Sequence, residues 1–219
     1  MNRFLLFFCL LLISFSFAKA EVGVVAGARA GINFSHLRKF QSPSGYKNRV
    51  NLGSDIAGTL RIDFNNYIGI QTEIEFTQKG QSWKSSFDSA KYAEKYVVNY
   101  VQFPILAVAR VGSEKIKGIF QLGPYVSYWS GGYTQNSVSI DKQSKNATTT
   151  KKVFTSDDRR VDAGIIVGAG VNILKGKNGV ELGLRYNAGF IDMDKTPTKS
   201  YTSTFNFYVG YTYTIKAKE

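Results

Sequence analysis

Cysteine, histidine and proline are scarce in these 219 residues: one Cys, one His and four Pro. Cys9 lies in the apolar stretch Phe4 to Phe17, which follows Arg3 and ends in Ala18, Lys19 and Ala20. That pattern predicts a cleaved export signal over residues 1–20 and a mature domain over 21–219. The mature chain then has no cysteine, which excludes a disulfide framework. With His36 as the sole imidazole and no mature thiol, no metal and no cofactor are expected. No later segment approaches the ~18 consecutive apolar residues of a membrane helix, so a bilayer would have to be crossed by strands. Acids are few as well, 16 against 28 Lys and Arg, for a formal net charge of +12 that stays strongly positive once Arg3 and Lys19 are removed. The excess points either to an anionic neighbour or to a solvated basic surface.

What the chain does contain is alternation. In VELGLRYNAGF, Val180, Leu182, Leu184, Tyr186, Ala188 and Phe190 fall on one strand face, and Glu181, Gly183, Arg185, Asn187 and Gly189 on the other. The same division predicts seven further strands: Val22 to Phe34, broken only by Val25; Leu52 to Phe64; Tyr67 to Lys79; Tyr96 to Val111, where Leu106 and Val108 intrude on the polar face; Ile119 to Ser130; Val161 to Ile173; and Thr204 to Ile215. All exceed the usual five or six residues of a globular strand. Their links alternate in length. Asn65–Asn66, Gly112 to Lys117 and Leu174 to Gly179 are short, whereas Ser35 to Asn51, Gly80 to Lys95, Gly131 to Arg160 and Ile191 to Ser203 are long and polar. Short periplasmic turns and long outer loops are the pattern of a transmembrane barrel. Within Gly131 to Arg160, YTQNSVSI and TTTKKVFT have strand-like composition without an apolar face, and read as an extension above the membrane.

Alternation alone does not say which face is inside, since a soluble ligand-binding barrel would show it with the faces exchanged. Glycines crowd the polar face at Gly23, Gly27, Gly31, Gly164, Gly168, Gly170, Gly183, Gly189 and Gly210, which suits a narrow interior better than a solvated surface. Apolar-face aromatics gather at strand ends: Phe34, Phe76, Tyr128, Phe190 and Phe205 toward the long loops, and Phe64, Phe120, Tyr211 and Tyr213 toward the short turns. Aromatic rings favour membrane interfaces. The fold class expected is all-β: an eight-stranded antiparallel up-and-down transmembrane barrel. Inside it, Arg29 and Arg185 should meet Glu73 at middle depth, with Asp55, Arg61, Asp63, Glu75, Asp162 and Glu181 extending a paired network. An interior of that size leaves room for side chains and no open water channel.

The segments QTEIEFTQKG, NYVQFPILAVAR, FQLGPYVSYWSGG, DAGIIVGAGVNI and VELGLRYNAGF, in this order, resemble the small outer-membrane β-barrel domain proteins often described as porin-like. The resemblance spans essentially the mature chain. It implies an eight-stranded barrel in a Gram-negative outer membrane and supplies no catalytic residue. Pro104 and Pro124 belong to its pattern, and each demands a bulge or a missing ladder bond. Two positions depart from it: Gln102 stands where an acid is common, and Lys216 to Glu219 replace a terminal aromatic residue.

Catalytic constellations are weak. Ser35 and His36 are adjacent at a strand end and should point apart, and Glu73 with Glu75 fits a structural network better than a carboxylate pair. The glycines of GVVAGARAG and GIIVGAG precede no helix and are not nucleotide loops. Function is expected in the loops, where Arg38, Lys39, Lys47, Arg49, Lys142, Lys145, Lys151 and Lys152 are candidate anion-binding residues. The partners expected are outer-membrane lipid, including lipopolysaccharide phosphates, and an extracellular ligand of unidentified kind, not nucleic acid. The chain then reads as a non-enzymatic monomer with a structural or interaction role. A narrow solute pore is the alternative, followed by a lipid enzyme or a soluble barrel.

Overall fold

A computed structural model describes residues 22–38, 45–87, 90–140, 144–151, 159–192 and 199–216. The predicted export signal therefore lies outside the described residues. Among the described residues ten strands follow one another: β1 (Gly23–Arg38), β2 (Lys47–Arg49), β3 (Asn51–Asp63), β4 (Ile68–Phe87), β5 (Ala90–Gly112), β6 (Ile116–Ile140), β7 (Ser144–Lys151), β8 (Val161–Lys175), β9 (Asn178–Gly189) and β10 (Tyr201–Lys216). Eight of them close a ring in the order β1, β3, β4, β5, β6, β8, β9, β10, with every neighbour antiparallel and β10 paired back to β1. Closure satisfies every spanning strand on both sides, which hydrocarbon requires. The eight ring strands are those marked by the alternation, with shifted ends.

Burial is inverted relative to a soluble barrel. Ile56, Phe76 and Leu184 are 60%, 57% and 59% exposed, whereas Glu73 and Arg185 are each 2% exposed. The aromatic residues expected at the strand ends are all on the exposed outer face. A wall this apolar on the outside and this polar within matches lipid on one side and a closed lumen on the other.

The irregularities of the sequence have structural causes. Val25 is buried inside, and Leu106 and Val108 point inward to pack with Ile119, Tyr125 and Ile166, so the β5, β6 and β8 side of the lumen holds a small apolar core. Around Pro104 the ladder is interrupted without a change of register: pairing runs to Pro104↔Tyr125 and resumes at Ala107↔Leu122. Of the two outcomes open to these prolines, the missing bond is the one found. The irregular register of β5 and β6 lies instead at Asn99/Tyr100. The first short turn is held by Asn65, whose side-chain oxygen accepts the N–H groups of Tyr67 and Ile68 at 2.8 and 2.7 Å. The β8–β9 turn places Gly176 at φ 61°, a conformation that favours glycine.

Two of the expected long loops are corrected. Gly80 to Phe87 and Ala90 to Lys95 are paired strands, with Gly80 opposite Val97 and Phe87 opposite Ala90. Residues 131–140 continue β6 and pair with both β5 and β7. Beyond the apolar wall no lipid imposes alternation on these strands, so no apolar stripe betrays them in the sequence. The reading of YTQNSVSI as an extension agrees with this arrangement, since β7 pairs only with β6 and β2 only with β4 among the described residues. TTTKKVFT is placed only to Lys151, within β7.

Candidate functional site

The inward side chains of β4 give the axis of the lumen: Gln71, Glu73, Glu75, Thr77, Lys79 and Gln81 are all buried and climb from the short turn toward the extension. At their middle, Glu73 receives two guanidinium groups. Arg185 donates from Nη1 and Nη2 to its two oxygens at 2.8 and 2.6 Å, and Arg29 donates from Nε at 3.0 Å. Arg29 also pairs with Asp55, and with Glu75 at 2.9 Å. Both guanidinium groups lie over Tyr208, 5.2 and 4.9 Å from its ring centre, within cation–π range. The Tyr208 hydroxyl donates to Glu181 at 2.7 Å.

Below this layer, Arg61 reaches Asp63 at 3.1 Å and Glu181 at 3.8 Å, and Arg110 pairs with Asp63 at 2.9 Å. Above it, Lys79 donates to Gln102 at 2.8 Å, stands 3.5 Å from Asp162 and 4.4 Å from the Tyr125 ring centre. Asp162 is held in turn by Thr202 at 2.8 Å and Tyr125 at 3.1 Å. The structure thus brings Arg29, Asp55, Glu73, Glu75 and Arg185 into one cluster, Arg61, Asp63 and Glu181 into a second, and Asp162 into a third. Charges buried this deeply require such pairing.

Sequence reasoning missed Lys79, Arg110 and Tyr208. Lys79 and Arg110 stand near the expected strand ends, where residue type does not separate a lumenal cation from a loop cation. Tyr208, on β10, fills the hollow left by the inward glycine of β9, and a Cβ at Gly183 would collide with its Cζ and hydroxyl. Gln102 has a reason to be an amide: its oxygen accepts from Lys79 while its nitrogen donates to Glu75 at 3.0 Å, which a carboxylate cannot do.

The second constellation lies outside the membrane band. Strand parity places Lys84 on β4, and Lys91 and Lys95 on β5, on the outer face of the extension, next to Lys47 and Arg49 of β2. Lys47, Arg49, Lys84 and Lys91 are exposed, and Lys95 donates to the Leu52 carbonyl at 3.0 Å. Lys47 stands opposite Lys84 in the ladder, an arrangement of like charges that destabilises the bare sheet. Of these five only Lys47 and Arg49 were candidates from sequence, because the β4–β5 hairpin read as a separate loop. Arg38 is half-buried and donates to the Gly189 carbonyl at 2.6 Å. Lys145 and Lys151 lie on β7 opposite Ser139 and Tyr133, while Lys39, Lys142 and Lys152 fall outside the described residues.

Ser35 and His36 do not form a catalytic pair. The Ser35 hydroxyl is buried, donates to the Asn51 carbonyl at 3.4 Å and accepts the Gly80 N–H at 2.9 Å, whereas parity puts His36 on the other face. Burial and the neighbouring Arg38 hold the His36 imidazole below its ordinary pKa.

Residues 19–195 match the family described as the outer membrane protein beta-barrel domain. The chain belongs to that family. Its place is therefore the cell outer membrane. Among curated proteins none matches significantly. Among solved structures, this outer-membrane barrel is similar to OprG from Pseudomonas aeruginosa, at 13% identity and a TM-score of 0.52, over 91% of this chain and 98% of that one. It also matches Ail of Yersinia pestis, solved in complex with the heparin analogue sucrose octasulfate, at 16% identity and a TM-score of 0.39, over 87% of this chain and 99% of Ail. Neisserial surface protein A matches at 13% identity and a TM-score of 0.45, over 87% and 96% of the two chains. At these identities the likeness concerns the fold.

Proposed function

We propose that this outer-membrane barrel is a monomeric, non-enzymatic interaction protein that presents a basic extramembrane sheet to polyanions at the cell surface, on a barrel whose lumen is closed by its own side chains. The observation that carries the reading is the outer face formed by Lys47, Arg49, Lys84, Lys91 and Lys95, five cations on adjacent strands with no acid among them. Like charges set opposite one another are relieved by an anionic ligand, and clustered phosphates or sulfates supply one. Closure of the lumen is supported by the Glu73 fork with Arg185 and by the Tyr208 ring, which occupy the middle of the barrel. Export through removal of residues 1–20 completes the reading.

Binding of the full-length protein to immobilised dextran sulfate tests it. Charge reversal of Lys47, Lys84 and Lys91 to Glu is expected to lower affinity at least tenfold, and the wild-type interaction should weaken steeply with salt. Unchanged binding in that variant rejects the reading.

A narrow solute pore is the second reading, favoured by Gln121 Nε2, Asn172 Oδ1 and Asn187 Oδ1, buried lumen-wall atoms that make no hydrogen bond within the protein. Single-channel recording in a planar bilayer separates the two. Stable conducting steps from the wild type, altered by substitutions at Glu73, reject the closed lumen.

A further inference from the structure

The outward-facing wall is not uniform. Between β6, β8 and the end of β9 it carries a groove of about 540 Å³ lined by Leu122, Pro124, Ala163, Ile165, Phe190 and Ile191. Its cause lies in the sequence. Pro124 and Ala163 are small outward side chains on neighbouring strands, with Val126 paired to Ala163 and Pro124 to Ile165. Larger side chains flank them, and the Phe190 N–H donating to the Ala163 carbonyl at 2.8 Å brings the Phe190 ring to the groove's edge. The lining is almost wholly apolar, and its neighbour in the membrane is an acyl chain.

The groove lies close under the extension end of the wall. Val161 opens β8 and pairs with Tyr128, and the chain just before it carries Arg159 and Arg160, both exposed. Ala163 lies three positions after Arg160, about 10 Å along an extended chain at ~3.3 Å per residue. That is the separation between an acyl chain lying in the groove and a phosphate at the polar boundary. Arg160 Nη1 donates to the Tyr128 hydroxyl at 3.3 Å, which holds the guanidinium along the outer wall. Of the acids close to this site in sequence, Asp192 has Oδ1 engaged by the Ser200 N–H at 2.9 Å, while Asp157 and Asp158, which precede the arginines, fall outside the described residues.

We infer that this groove, together with Arg159 and Arg160, is a site for one phosphorylated, acylated glycolipid of the outer leaflet, with a chain in the groove and a phosphate on the arginines. Lipids of the inner leaflet carry phosphate too, but their headgroups lie at the opposite end of the wall. Arginine suits the task because its planar fork matches phosphate oxygens. The inference rests on the outer-membrane placement and is independent of the basic face.

Native mass spectrometry of the delipidated full-length protein tests it, with the bis-phosphorylated lipid anchor of lipopolysaccharide, its dephosphorylated form, and phosphatidylglycerol as probes. One equivalent of the bis-phosphorylated lipid should be retained about tenfold more tightly than either other lipid. Ala163→Trp, which fills the groove, and the double variant R159E/R160E should each remove that preference. Heat-modifiable gel mobility establishes that both variants are folded, and the arginine variant, outside the spanning wall, reads the site even where Ala163→Trp fails to insert. Equal retention of the three lipids by the wild type, or undiminished preference in R159E/R160E, overturns the site. Dextran sulfate binding is expected to be unaffected by Ala163→Trp, so failure here is distinguishable from failure of the basic-face reading.

Discussion

Arg185 and Glu73 lie 112 residues apart in sequence and meet in the lumen as a two-pronged pair, with nitrogen–oxygen distances of 2.8 and 2.6 Å. The arginine comes from β9 and the carboxylate from β4, on opposite sides of the ring, so the pair crosses the interior instead of running along a wall. Such a brace acts against ovalisation of the barrel, and it leaves neither charge without a partner.

Glu73→Ala should be among the more destabilising lumenal substitutions. Arg29 would keep Asp55 and Glu75, but Arg185 would keep only the Gln121 oxygen, at 2.8 Å, as a hydrogen-bond acceptor. Stranding a buried charge costs about 3–5 kcal/mol. Urea unfolding in lipid vesicles measures this, and replacing Glu73 and Arg185 together by Met should cost less than the two single changes combined. Additivity of the two would show that the pair does not act as a unit.

The glycine hollow makes a second prediction. Gly183→Val places a side chain in the space of the Tyr208 ring, and overpacking of this kind costs about 1–3 kcal/mol. Tyr208→Ala in the same chain should recover part of that loss. If Gly183→Val unfolds at the wild-type urea concentration, the close packing of β9 against Tyr208 is refuted.

Orientation of the wall is tested by arginine scanning. Leu184, outward and 59% exposed at the centre of β9, should cost about 2–4 kcal/mol when changed to Arg, because the charge enters hydrocarbon. Ile173→Arg, outward but close to the β8–β9 turn, should cost only about 0–1 kcal/mol. A soluble barrel would tolerate both equally.

His36 offers a pH test outside the spanning wall. Its pKa is lowered in the folded protein by partial burial and by Arg38, so folding disfavours protonation. The sign follows: its stabilising effect is complete above the unfolded value of about 6.5 and declines as the pH falls below it. An NMR titration should place the His36 midpoint below 6.5, and His36→Gln should flatten the acid limb of the stability profile slightly. A midpoint above 6.5 refutes the packing of Arg38 near the imidazole.

How far the sequence reaches depends on the range of the interaction concerned. Alternation is set within a few residues, because a strand turns each successive side chain to the opposite face, and lipid on one side enforces it. The ring strands and the inward set of Arg29, Glu73 and Arg185 are therefore legible from residues alone, and so is the short Asn65 turn. The β4–β5 part of the extension was not, because beyond the membrane no medium imposes an apolar face and Gly80 to Lys95 carries no marker of its pairing. Leu106 and Val108 looked like errors of pattern until the ring set them against Ile119 and Ile166. The height of Lys79 against Asp162, and of Lys84 against Lys47, follows from strand register. Register is fixed by the closure of all the strands at once, and so only the tertiary structure decides which charges meet.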